Sequence, residues 1–278
     1  MSILLFTGLA IIGAFSAGLL GALTGLGGGI VIVPMLTLVF HVDLRYAIGA
    51  SLVSVIATSS GAAAAYVKEG YTNVRVGMLL EIATTLGAIG GAYLAGHVGT
   101  RTIAVIFSVV LLYSAYRSTK PLAEHVSTEH AHSLAVKLRL NSTYPTPNGL
   151  QEYAVKGVPA GFSLMFLAGI LSGLLGIGSG ALKVLAMDQI MHLPFKVSTT
   201  TSNFMIGVTA AASAGIYLAR GYIDPGTALP VMLGVLAGAL TGARVLTGAR
   251  PPLLRRLFSI VVVVLALEML YKGLRGGL

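Results

Sequence analysis

The chain has 278 residues, of which 55% are hydrophobic and 10% charged, with a formal net charge of +9 and a mean hydropathy of +0.89. Soluble domains carry about 25% charged residues, so this composition argues against a water-soluble fold. Apolar stretches of about 20 residues recur along the chain, each long enough to cross a bilayer as a helix. The period-2 alternation of a membrane β-barrel is absent.

The chain holds no cysteine, which excludes disulfides and thiolate chemistry, and no tryptophan. Tyrosines such as Tyr46, Tyr71, Tyr93, Tyr113, Tyr217, Tyr222 and Tyr271 are left to form the interfacial belt. The cations sit in short loops between apolar runs, the pattern of positive-inside bias rather than of a nucleic-acid surface. No nucleic-acid partner is expected; the expected partners are the lipid bilayer and a small anion.

In chain order, apolar segments are expected at about 3–24, 28–40, 47–67, 76–96, 102–118, 158–176, 180–191, 197–219, 226–246 and 257–271. No Lys or Arg precedes the first run, which therefore reads as a span rather than a cleaved leader. The break after it, "TGLGGG" at 24–29, is dense in glycine, which disfavours a helix interior. Such a break either lets helices pack closely or frees backbone N–H groups at the head of the next short helix. In lipid the second arrangement is tolerated only where it is buried in protein or lines a polar cavity.

The polar interval 119–156 reads as a linker, with a short amphipathic helix around 122–140. Its histidines, His125, His130 and His132, lack a carboxylate at ligand spacing, so no metal site is expected. HExxH, GxSxG, Walker A and GxGxxG motifs are all missing. "GIGSG" at 176–180 lacks the first glycine of an intramembrane protease motif. Neither an enzyme activity nor a cofactor is expected.

A shift of 151 positions superimposes the halves. "GLLGALTGLGGG" (18–29) pairs with "GILSGLLGIGSG" (169–180), His41 with His192, Arg45 with Lys196, Ser51 with Ser202, Thr58 with Thr209, and Gly87 with Gly238. The expected organisation is therefore a first transmembrane repeat over 1–118, a cytoplasmic linker over 119–156 and a second repeat over 157–278. If the short segments cross, Lys and Arg at 68, 75, 117, 120, 137, 139, 156, 196, 244, 250, 255 and 256 share one side, against 45, 101, 220, 272 and 275. That split obeys the positive-inside rule better than the one in which they re-enter. It makes the protein an all-α polytopic membrane protein with inverted repeats, each of about four full spans plus one short glycine-broken helix, in the cell membrane.

Candidate site residues follow from the breaks. Thr24, Gly27, Gly28 and Gly29 in the first copy and Gly178, Ser179 and Gly180 in the second could supply backbone and hydroxyl donors. Ser51 and the run Ser198–Asn203, especially Thr200, Thr201, Ser202 and Asn203, could add donors suited to a desolvated anion. Helix capping and bonding back to helix carbonyls are the competing explanation for these hydroxyls. Ionisable groups inside spans are functional by default, and Lys183, opposite Ile32 in the first copy, is the cation that would complement an anion. Asp188 and Glu81 are the candidates for proton coupling; an internal Lys183–Asp188 pair is the alternative.

"GLLGALTGLGGGIVIVPML" and "IGASLVSVIATSSGAAAAY", then "GLLGIGSGALKV" and "KVSTTTSNFMIGVTAAASA", resemble the TauE/SafE family of membrane permeases. The resemblance spans all but the linker. It implies a secondary transporter, typically an exporter, of sulfite or C2 organosulfonates such as sulfoacetate. The second copy departs from the first by Ser179 for Gly28, Leu185 for Pro34 and Lys183 for Ile32, so one asymmetric site is expected. The alternatives are an importer or channel for the same anions, or a membrane-embedded enzyme or scaffold. Assembly into a homo-oligomer is compatible with the sequence.

Overall fold

The computed structural model describes residues 3–24, 28–68, 70–119, 133–146, 149–245 and 251–276. These are mostly helical: α1 Ile3–Thr24, α2 Gly29–Pro34, α3 Leu44–Lys68, α4 Val74–Ala95, α5 Thr100–Thr119, α6 Ser133–Lys137, α7 Val158–Leu175, α8 Gly180–Leu185, α9 Phe195–Ala219, α10 Pro225–Val245 and α11 Pro251–Arg275. A two-stranded antiparallel hairpin, β1 Ser142–Thr146 with β2 Gly149–Tyr153, completes the linker. The sequence reading missed this hairpin; a ten-residue polar ribbon carries too little apolar alternation to stand out. Of the expected linker helix around 122–140, the described part is α6; His125, His130 and His132 lie outside the described residues.

Three helices are long and apolar enough to cross a membrane by length and composition among the described residues: Val74–Ala95, Val158–Leu175 and Phe195–Ala219. Their surfaces are inverted relative to a soluble fold. On α4, Met78, Ile82, Leu86 and Tyr93 are 57–59% exposed, whereas Leu80, Glu81, Thr84 and Ala88 face inward. A hydrocarbon solvent rewards that arrangement, because only apolar atoms can face it without loss.

Element bounds recur at the 151-residue offset. Gly29–Pro34 answers Gly180–Leu185, and Leu44–Lys68 answers Phe195–Ala219. Each short helix continues as a π-helical turn, Met35–Val39 and Ala186–Ile190, followed two residues on by a histidine of left-handed backbone, His41 and His192, both at φ 55°. Pro34 removes a backbone donor from the first copy, yet the same turn forms around Leu185 in the second, so proline is not its cause. Capping bonds from Val42 N to Leu36 O (3.0 Å) and from Leu193 N to Met187 O (2.9 Å) close both turns alike.

Packing is reciprocal: α1 lies on α10 and α4 on α7, while α3 pairs with α9 and α5 with α11. The first two crossings bring backbone onto backbone. A Cβ at Gly87 would fall on the Phe166 carbonyl, and one at Gly238 on that of Phe15, so these glycines serve close helix packing.

Contacts sort the loops into two groups. With the linker lie Arg75, which donates to Arg139 O at 3.1 Å, and Lys196, whose ammonium sits 4.1 Å from the Tyr71 ring centroid. Lys156 N also bonds Met191 O at 3.0 Å there. In the other group Arg45 bonds Tyr222 Oη (3.0 Å) and Val98 O (3.4 Å), and Arg220 bonds Ala92 O (2.9 Å) and Tyr93 O (3.0 Å). Arg101 bonds Leu274 O, and Lys272 bonds Leu38 O at 3.5 Å.

Candidate functional site

The second glycine break is held by left-handed backbone at Gly176 (φ 68°) and Gly178 (φ 70°), which only glycine adopts freely. Ser179 follows at φ 46°, a conformation that costs an L-residue roughly 1–2 kcal/mol. Its side chain is 3% exposed and its Oγ has no hydrogen-bond partner. The first break is different: Gly28 is right-handed at φ −67°. Gly27 lies outside the described residues, and so does the side chain of Thr24, whose backbone ends α1.

The two breaks meet. Ser51 Oγ, on α3, donates to Gly176 O at 2.8 Å. A Cβ on Gly29 would lie 2.9 Å from Ser51 Oγ and 3.3 Å from Gly176 O. Likewise Gly178 sits against Ile206 and Val55, where a Cβ would be 2.8 and 3.3 Å from their methyls. Ser202 Oγ reaches Gly180 O at 3.3 Å. The equivalent serines of the two halves thus both satisfy carbonyls of the broken segments, where unpaired backbone would be costly.

Beside this crossing lies a buried polar chain. Lys183 on α8 is 0% exposed, and its Nζ donates to Thr209 Oγ1 on α9 at 2.5 Å. Thr209 in turn donates to Glu81 Oε1 on α4 at 2.7 Å. Thr85 Oγ1 also donates to Glu81 Oε1 (3.0 Å), Thr84 Oγ1 stands 3.5 Å from Thr209 Oγ1, and Glu81 Oε2 has no partner. A lysine and a glutamate of opposite charge therefore face each other across one hydroxyl, and each makes the other's burial tolerable. Ser179 and Lys183 stand one turn apart, linked by Lys183 N to Ser179 O at 3.0 Å, so they share a helix face.

The remaining expected residues are placed elsewhere. Thr200 Oγ1 is within donating distance of Tyr71 O (3.1 Å) and, on its own helix, of Lys196 O (3.0 Å) and Val197 O (3.1 Å), and Thr201 Oγ1 accepts Asn73 N (3.0 Å), so both hydroxyls are taken up by backbone on the linker side. Asn203 and Asp188 are half-buried, Asp188 within the π-helical turn. In the first copy Ser54, Thr58, Ser59 and Ser60 bond back to carbonyls of their own helix. The sequence reading missed Thr209, Thr84 and Thr85. Thr209 was visible only as the repeat partner of Thr58, and its link to Glu81 spans 128 positions.

Asn73 organises the linker side. Its Oδ1 caps α4 by accepting Val76 N (3.1 Å), worth about 1 kcal/mol. Its Nδ2 donates to Leu140 O (2.9 Å) and Tyr153 Oη (2.8 Å). Burial pushes the Tyr153 phenol up to about 12 against the lowering hydrogen bonds of Asn73 and Ser142, so the group is neutral at physiological pH. A cleft of about 370 Å³, lined by Asn141, Ser142, Glu152 and Tyr153 among others, opens on this hairpin rather than among the membrane helices. Among the described residues no group of three or more His, Asp or Glu is placed to hold a metal ion.

The family model described as "Sulfite exporter TauE/SafE" matches residues 9–269. The chain is 28% identical to the probable membrane transporter protein YunE of Bacillus subtilis, covering 93% of this chain and 95% of that protein. It is 25% identical to the probable membrane transporter protein YdhB of the same organism, over 85% and 89% of the two chains. A probable membrane transporter protein of Methanocaldococcus jannaschii is 24% identical over 96% of both. No solved structure matches.

Proposed function

The chain belongs to the TauE/SafE family and is a membrane transporter, and on that premise we propose that it carries small anions such as sulfite or C2 organosulfonates through a site between its two halves. The observation that carries the reading is Lys183, fully buried within the membrane helices where the two glycine breaks cross. A buried cation with the unpartnered Ser179 hydroxyl one turn away suits an anion stripped of its water. In this reading Gly28 and Gly29 of the first break and Gly178–Gly180 of the second lend backbone donors to the anion, and Ser51 and Ser202 hold the broken segments in place.

The two halves act as inverted repeats. Two observations support this: the element bounds recur at one offset, and Arg45, Arg101, Arg220 and Lys272 gather at the end opposite the linker. The linker end, richer in cations, then faces the cytoplasm. α7 runs in from the linker side and the segment from Gly180 to Ile190 returns to it, where Lys156 N bonds Met191 O; α1 and the segment from Gly29 to Val39 do the same from the other side, where Phe6 meets Phe40. With Lys183 and Thr209 fully buried, the conformation is occluded. Alternating access exposes the site by loosening either the Thr200–Tyr71 and Thr201–Asn73 contacts on the linker side or the Arg45–Tyr222 contact on the other. Export is the direction the family's description carries.

The test is reconstitution in liposomes with labelled sulfite and C2 sulfonates, with and without a pH gradient. Flux that saturates with anion concentration is expected; no flux of any of these anions under any gradient overturns the proposal. Flux without saturation would mark a channel instead.

A further inference from the structure

A lysine that serves an anion has no need of a carboxylate one hydroxyl away, yet Lys183 has one. We infer that Glu81 is a tethered anion that neutralises Lys183 when no substrate is bound, and that substrate binding is linked to protonation of Glu81 across the Thr209 hydroxyl. The inference rests on the anion-site reading and supplies its coupling ion.

The Thr209 hydroxyl has a single proton. It accepts from Lys183 at 2.5 Å, and of the acceptors its proton can reach, Glu81 Oε1 at 2.7 Å is nearer and more negative than the Met205 carbonyl at 3.0 Å, so the lysine and the glutamate sense each other through one group. Oε1 also receives Thr85, whereas Oε2 is buried without a partner. A buried carboxylate oxygen left bare is where a proton is taken up at the least loss of existing bonds.

Other ionisable groups on the elements packed against Glu81 do not replace Lys183 in this role. On α4 itself Arg75 is turned to Arg139 O, and α7 carries no ionisable residue between Val158 and Leu175. On α9, Lys196 lies over Tyr71, and Arg220 bonds the C-terminal carbonyls of α4. The short helix and its π-turn bring Lys183 and, five residues on, Asp188.

A charge buried among membrane helices must be balanced. The empty site meets that condition with Lys183 cationic and Glu81 ionised. With a monoanionic sulfonate on Lys183, both anions would compete for one cation unless Glu81 takes up a proton from the side from which the anion entered. Both states are then electrically neutral, and both can reorient. On release the proton leaves Glu81 with the anion, so one proton accompanies one anion and no net charge moves. Export proceeds when the internal excess of anion outweighs the inward proton gradient.

The reciprocity of linkage makes this measurable. Isethionate is the probe, because its sulfonate stays ionised across the working pH range, whereas sulfite itself titrates there. The purified full-length protein in nanodiscs is titrated calorimetrically in two buffers of different ionisation enthalpy between pH 5 and 8. Wild type is expected to take up about one proton per anion, with affinity falling about tenfold per pH unit once Glu81 is ionised in the empty protein. Glu81→Gln is expected to bind isethionate with no proton uptake and an affinity flat with pH. Thr209→Ser, which keeps the hydroxyl, is expected to retain the wild-type pH profile. Binding by wild type without proton uptake overturns the linkage and leaves the anion site standing. Loss of binding in a folded Glu81→Gln protein, as judged by an unchanged melting profile, also overturns it. Absence of any isethionate or sulfite binding by wild type overturns the anion-site reading itself.

Discussion

The cluster around Lys183 and its counterpart 151 positions earlier lie on helices with matching bounds, differ in backbone at the break itself, and hold opposite chemistry. Lys183, Thr209 and Glu81 correspond to Ile32, Thr58 and Met232, and Thr84 and Thr85 to Val235 and Leu236. Ser179, left-handed with a bare hydroxyl, corresponds to Gly28, which is right-handed. In the counterpart Ile32 is fully buried, and Thr58 turns its hydroxyl to the carbonyls of Ser54 and Val55. One half of the molecule thus supplies a charged pole, and the other repeats its geometry in apolar atoms. Duplicating a scaffold does not require duplicating a site. Keeping the charged pair to one half also limits the burial of charge, which in a membrane is the expensive element.

That contrast can be broken in several ways. Lys183→Met makes the charged pole resemble its counterpart, and isethionate flux in proteoliposomes should fall by about 100-fold, the loss of a charge-assisted contact; flux within twofold of wild type would remove Lys183 from the site. Gly87→Ala and Gly238→Ala test the parts that are alike. Each puts a methyl onto a backbone carbonyl of the facing helix and should destabilise by roughly 1–3 kcal/mol, equally in the two halves, in denaturant unfolding monitored by circular dichroism. Thr209→Val removes the hydroxyl between Lys183 and Glu81. It should lower flux about tenfold and flatten its pH dependence, while Thr58→Val at the equivalent position changes flux less than about twofold. At the two ends, Lys196→Gln and Arg45→Gln each remove a cation from a tyrosine ring, Tyr71 and Tyr222. Each should shift the balance between inward- and outward-open states by about 0.5–1 kcal/mol, in opposite directions, as read by cysteine accessibility from either side.

Local chemistry was open to the sequence reading, and contacts between distant residues were not. Apolar length, the glycine breaks and the intramembrane lysine are properties of residues within a few turns of one another, and the helices and the short broken segments followed. Thr200 and Thr201 show the limit. As hydroxyls at a helix head they look like ligand donors, but their partners Tyr71 and Asn73 lie 129 and 128 positions away, on the linker side. Thr209 shows the converse. It is a lone threonine in an apolar helix, and nothing near it in sequence announces that α4 brings a carboxylate to it.

Composition and periodicity settled that this chain lives among lipids as helices, because a hydrocarbon solvent leaves the backbone few alternatives. The 151-residue offset matched the two breaks in the sequence, through glycines, histidines and serines, and the element bounds recur at that offset. Which helix lies on which came from side-chain packing over more than a hundred positions, where α4 of the first half settles on α7 and α9 of the second. That docking alone sets Glu81 against Thr209 and Lys183. Pairing of buried charges is a demand of the medium, but the partner is chosen by whichever face the tertiary structure turns toward it.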